Sequence, residues 1–456
     1  MRSRYLLPLL ILLASFSIAL SQDTAPSIES ILKSDGSLDL DRGFEGAVSI
    51  KGWRMILASD GGPRFVREDD PPPALLASDE HVEGDQYWDD RFGPPGVDGP
   101  VHALYVYRGV AYVGGRFLFA GSALANNVAR WDGTNWSTME TGVSGPVFAI
   151  TARADMIIVG GGFTSAGPEV ARNIAQWDIT SEKWSRLGTD YEGVNDTVYA
   201  LLTVGTDVYI GGRFVRSFAG SPNVNLSRIA RWNGAKWSTV GAGFNNTVRS
   251  LAAVDTVIFA GGSFTQSGPA SVLRIAQLDK GALTWSQVGD GFNGEVRALL
   301  SDGTTLWAGG AFTSSGARTV LRVARWSGAN GLWTNVGSGF DAPVNSLALF
   351  KGDLYAGGRF QFSGTSSLSV IARFSSGAWV EVDAGIGDKN PPEVLSLAAG
   401  DSTLFVGGQF LIAGTLTAYN LVEWTGTAWR TIGRRSRTAS SSSGVNGGVY
   451  AIVVRG

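Results

Sequence analysis

A glycine pair recurs seven times in this chain of 456 residues, each time closing an alternating apolar run, as in "VYIGGRF" from Val208 to Phe214. The first glycines are Gly114, Gly160, Gly211, Gly261, Gly309, Gly357 and Gly407. A valine stands 13 residues before each of them: Val101, Val147, Val198, Val248, Val296, Val344 and Val394. Copies separated by 46 to 51 residues mark a repeat protein, in which each unit is one supersecondary element unable to bury its apolar faces alone. The third copy shows the plan: "VYALLTVG", "TDVYIGGRF", "LSRIARWNG" and "KWSTVGAGF" alternate apolar with small or polar residues and end in turn formers. That is the pattern of four short antiparallel strands joined by hairpins, A to D.

Such small sheets must stack face to face, so the expected fold is all-β, a β-propeller of four-stranded antiparallel blades. Trp136, Trp184, Trp237, Trp285, Trp333, Trp379 and Trp429 open strand D in every copy, and Trp131, Trp177, Trp232, Trp326 and Trp424 end strand C. Rings at one place in every blade read as wedges between adjacent sheets rather than as sugar-stacking groups. The glycines read as positions of close backbone approach.

This layout, with a glycine doublet after strand B and a tryptophan at the start of strand D, resembles the kelch repeats and the galactose oxidase-like propellers. More closely, the stretch "YVGGRFLFAG…NNVARWDGTNWSTMETG" (Tyr112 to Gly142) is similar to the repeats of bacterial secreted propellers and of fungal cortical cell-polarity marker proteins. The resemblance covers Val101 to Gly456. It implies fold and export but little chemistry. The copper chemistry of galactose oxidase needs a Tyr-Cys cross-link, and this chain has no cysteine.

Residues 1–21 read as a secretory signal, with Arg2 and Arg4 before an apolar run and a small-x-small site ending at Ser21. Residues 22–42 follow as a polar segment. Residues 43–100 read as a degenerate repeat, since Val48 stands 13 residues before Gly61 and "YWDDRFGPPGVDGP" (Tyr87 to Pro100) resembles a strand D with its exit turn. Seven kelch-like repeats and a terminal strand fill 101–456. After the seventh copy, "VYAIVVRG" (Val449 to Gly456) repeats strand A and stops. Residues 449–454 are therefore expected to supply the inner strand of a closing blade built with the N-terminal region, giving eight blades, with seven as the alternative.

Chemistry is sparse. Without cysteine there is no disulfide or thiolate site. Removal of the signal leaves 35 basic and 40 acidic residues with no basic block beyond Arg434, Arg435 and Arg437, which argues against nucleic acid as a partner. No later apolar run spans a bilayer once the signal is removed. His81 and His102, the two histidines, stand far apart, and no metal or other cofactor is expected. Glu140, Asp190, Glu192, Asp290, Glu295, Asp341 and Glu393 fall in the connections from strand D to the next strand A and read as solvated turn residues. Sequons stand at Asn135, Asn195, Asn225 and Asn245.

One position in strand A escapes the repeat. The residue after each valine varies: His102, Phe148, Tyr199, Arg249, Arg297, Asn345, Leu395 and, in the terminal strand, Tyr450. These residues are expected near the channel mouth, on the side where the D-to-A and B-to-C loops emerge, joined by loop residues such as Arg216 and Phe218. The binding set is thus His102, Tyr199, Arg249, Arg297, Asn345, Tyr450, Arg216 and Phe218. The leading functional reading is a secreted, non-catalytic propeller that binds an extracellular protein or glycan through the loops of one face. The alternatives are a glycan-active hydrolase or lyase with carboxylates at the channel mouth, and a structural envelope or matrix protein.

Overall fold

The computed structural model describes residues 27–34, 37, 52–57, 63–67, 95–188, 191–219, 224–328, 330–387 and 391–433. The chain divides into two compact units, 1–83 and 84–456. The first unit contains a short 3-10 turn, Ile28–Ile31, whose Ser27 hydroxyl accepts from the Glu29 N–H. It also contains a hairpin in which Trp53–Leu57 pairs with Pro63–Arg67. These strands begin several residues later than the repeat register counted from Val48 would place them. The signal segment, the strand D resemblance at 87–90 and the terminal strand 449–454 lie outside the described residues.

The second unit contains seven four-stranded antiparallel meanders, one per repeat, each in the order A-B-C-D. In the first sheet these are Val101–Tyr107, Val110–Gly115, Val128–Trp131 and Trp136–Thr138. The remaining A strands are Val147–Arg153, Val198–Val204, Val248–Val254, Val296–Ser301, Val344–Phe350 and Glu393–Ala399. Each A strand lies against the A strand of the next copy, and Glu393–Ala399 lies against Val101–Tyr107.

The glycine pair makes this stacking possible. A methyl on any of the first glycines would come within 2.3–2.7 Å of a valine Cγ1 in the next sheet, Val147 for Gly114 and Val394 for Gly357. Gly407 meets Val101 in the same way, at 2.5 Å. The second glycine faces its own sheet: a methyl on Gly212 would stand 2.2 Å from the Thr197 carbonyl oxygen, which accepts a hydrogen bond from the Arg213 N–H. Neither separation admits a side chain.

The strand D tryptophans fill the space between sheets farther out. The indole N–H of Trp184 donates to the Met139 carbonyl of the preceding sheet at 2.7 Å, and Trp285, Trp333 and Trp379 repeat the bond to Val240, Val288 and Val336. All four are buried.

The joint between the seventh sheet and the first is built like the others. Residues 95–100 run along the seventh sheet as an exit turn would: the Gly96 N–H donates to the Ile432 carbonyl, the Val97 N–H to Tyr419 and the Tyr419 N–H to Pro95. Asn420 donates its amide to the Val97 carbonyl, the role that Asn173 plays toward Val194 between the second and third sheets. Val97, Val101, Phe405, Leu421 and Ile432 share one buried cluster. Among the described residues the first and seventh sheets are thus in direct contact. Among the described residues no helix is long and apolar enough to cross a membrane.

Candidate functional site

The varied position of strand A is a β-bulge in all seven sheets. Val101 pairs with Gly115 and Ala103 with Gly114, so His102 has no opposite residue. The same register shift leaves Phe148, Tyr199, Arg249, Arg297, Asn345 and Leu395 unpaired. A bulge bends its strand and re-aims the extra side chain. All seven residues are half-buried. Simple alternation along strand A could not show this extra residue.

Six of these seven side chains, all but Leu395, stand in one circuit. The His102 ring lies 5.0 Å from that of Phe148, and Phe148 lies 5.2 Å from Tyr199, at interplanar angles of 53° and 44°. The Arg249 guanidinium covers the Tyr199 ring at 4.3 Å and donates through Nε to Glu295 Oε1 at 3.0 Å. Glu295 also accepts from the Ser263 hydroxyl at 2.6 Å and from Arg297 Nε at 3.1 Å. Arg297 donates to Asn345 Oδ1 at 2.9 Å, and the Asn345 amide donates to Glu393 Oε1 at 2.8 Å. Arg359 donates to Glu393 through Nε and Nη2, at 2.7 and 2.8 Å. Glu393 in turn acts by its charge on His102. Three aromatic groups thus form one arc of the circuit, and arginine, carboxylate and amide groups form the other.

Electrostatics follow from this packing. Burial first and the Arg116 charge second lower the His102 pKa to about 4, against the opposing effect of Glu393. For Glu295, burial raises the pKa, but the bonds from Ser263, Arg249 and Arg297 outweigh it and hold the carboxyl below its ordinary range. That is the reverse of the raised pKa that a general acid needs.

The remaining expected residues divide. Arg216 and Phe218 do not join the circuit: Arg216 is exposed on its loop, and Phe218 lies under the Arg172 guanidinium of the preceding repeat at 4.8 Å. Tyr450, His81 and Asp190, and the side chain of Glu192, lie outside the described residues. Glu295 and Glu393 join this circuit rather than standing as solvated turn residues. Glu140 instead pairs with Lys183 at 2.8 Å, and Asp341 accepts from the Gln361 and Phe362 N–H groups. The residue after the glycine pair was missed altogether. Ser263 and Arg359 occupy that position and meet Glu295 and Glu393, and Arg116 is its counterpart in the first sheet. Its variation from copy to copy (Arg116, Gly162, Arg213, Ser263, Ala311, Arg359, Gln409) is the signal that could have found it.

The family model described as the Rax2 C-terminal β-propeller domain matches residues 96–258, from the joint at Gly96 into the fourth repeat. Among solved structures, the computationally designed Ika8 protein is similar at 14% identity and a TM-score of 0.47, over 75% of this chain and 87% of that one. The WD40 β-propeller domain of Doa1 is similar at 14% identity and 0.47, over 73% and 94%. The extracellular domain of BT4673 from B. thetaiotaomicron is similar at 13% identity and 0.48, over 70% of this chain and 39% of that one. No curated protein matches in sequence. The seven stacked meanders and the family match together identify the fold as a β-propeller.

Proposed function

We propose that this protein is an exported, non-catalytic binding propeller whose seven sheets close the ring by themselves, and that its ligand enters the mouth where the bulge residues meet. The observation that carries the reading is the circuit from His102 to Glu393. The repeat leaves the bulge residue free to vary, and six of the seven bulge residues stand in that circuit. Export rests on residues 1–21, and an extracellular protein or glycan is the class of partner. The kelch-like and galactose oxidase-like character rests on the sequence resemblance alone. Both mouth carboxylates are held in ion pairs with arginines, which suits recognition better than proton transfer.

Tyr199→Ala with Arg116→Ala tests the reading by capture from glycan arrays and extracellular protein mixtures, with Arg108→Asn and Lys351→Asn on the opposite A-to-B turns as control. The mouth pair should lose at least one ligand that the unaltered chain and the control retain. A ligand lost only with the control pair would place the site on the other face.

A further inference from the structure

The mouth carries three kinds of surface in a fixed order. His102, Phe148 and Tyr199 make a curved aromatic wall, because their rings touch at 5.0 and 5.2 Å but are tilted rather than coplanar. Glu295, Arg297, Asn345 and Glu393 make a wall of alternating acceptors and donors already aligned by mutual bonds. Arg116 follows Gly115, which pairs with Val101 next to His102, and its charge acts on His102, as does that of Glu393. Arg116 is exposed, and among the described residues its guanidinium has no hydrogen bond or ion pair. Its counterparts Arg213 and Arg359 are engaged, with Asp196 and Glu393.

An unpaired guanidinium beside an aromatic wall selects for a ligand with an apolar face and a carboxylate. A wall rich in both acceptors and donors selects in addition for hydroxyl groups, which can satisfy both. An acidic sugar presents all three at once: a C–H face, a hydroxyl edge and a carboxylate. A peptide C-terminus supplies the carboxylate but no hydroxyl edge.

We infer that the mouth takes the carboxylate-bearing end group of a saccharide, with its ring face on Phe148 and Tyr199, its hydroxyls on Asn345 and the two glutamates, and its carboxylate on Arg116. This rests on the reading of the mouth as the binding site. The depressed protonation of His102 agrees with it, since a neutral imidazole can stack without adding a second charge.

Calorimetry of the whole chain with methyl β-glucuronide, a methyl sialoside and methyl β-glucoside tests it. At least one of the two acids should bind more tightly than the neutral glucoside. Arg116→Ala should weaken that acid by on the order of 10-fold or more and remove the difference, while leaving the melting temperature unchanged. Two results would overturn the inference: neither acid binding at millimolar concentration, or an acid preference that survives Arg116→Ala. If a neutral glycan or a peptide is bound instead and lost with Tyr199→Ala, the saccharide-acid inference fails while the mouth remains the site. If a bound ligand ignores both variants, the reading of the mouth fails as well.

Discussion

His102 stands half-buried between the Phe148 ring and the Arg116 charge, with a pKa near 4 in the fold against 6.5 when free. The unfolded chain therefore takes up a proton on this group before the folded chain does. Its contribution to stability is fully present above pH 6.5 and is lost as pH falls from 6.5 toward about 4, amounting to at most about 3 kcal/mol. Urea midpoints at pH 7, 5.5 and 4.5 should show that loss, and His102→Phe should flatten the profile over this window. A second fall below it, from carboxylates such as Glu295 with lowered pKa values, should persist in the variant. The glycine pair makes a separate prediction. Gly309→Ala should destabilise by about 1–3 kcal/mol through overpacking against Val344. Val344→Ala should recover part of that loss in a double-mutant cycle on denaturant midpoints, since the two residues touch across the joint. Close approach at these glycines was legible in the repeat. Its partner was not, because the valine that crowds each first glycine belongs to the following copy, not to the valine 13 residues earlier.

The elements were legible for the same reason that single residues were: alternation and turn residues repeated seven times. Strands A to D, their order and the burial of the strand D tryptophans all followed from that pattern. The bulge did not, because every copy carries it and the spacing from valine to glycine stays constant. The loops hold a second device that the sequence concealed. A side chain in the D-to-A connection accepts two backbone N–H groups from the B-to-C loop: Asp98 from Leu118 and Phe119, Asn195 from Val215 and Arg216, Asn245 from Thr265 and Gln266, and Asn293 from Thr313 and Ser314. Two of these residues, Asn195 and Asn245, read from sequence only as sequons. Asn293→Ala should leave both amides of its loop without their acceptor and lower stability by about 1–2 kcal/mol. Hydrogen exchange should show faster exchange confined to residues 311–320, and Asn293→Asp should restore protection.

At the scale of the whole molecule, the account turns on how seven repeats meet. The sequence pointed to an eighth blade because the terminal strand A lacked an obvious sheet and residues 43–100 carried traces of a repeat. The exit-turn resemblance of "GVDGP" (Gly96 to Pro100) was legible, but its sheet was not. Hydrogen bonds to Ile432 and Tyr419 dock it on the seventh sheet, more than 300 residues away in the chain, and no local pattern reports such a contact. With this joint made, Gly407 seats Val101 as the other glycines seat their valines, and Glu393 comes within electrostatic reach of His102. The proposed binding site and the closure are thus one claim. The direct measurement is the thermal and urea unfolding of residues 84–433 beside the chain from residue 22 to residue 456. Closure by seven sheets predicts a single cooperative transition with the same midpoint within a few degrees and the same denaturant slope. Aggregation, a broadened transition or a loss of several kcal/mol in the shorter chain would show that the ring needs residues beyond 84–433, such as strand 449–454, and would contradict the account.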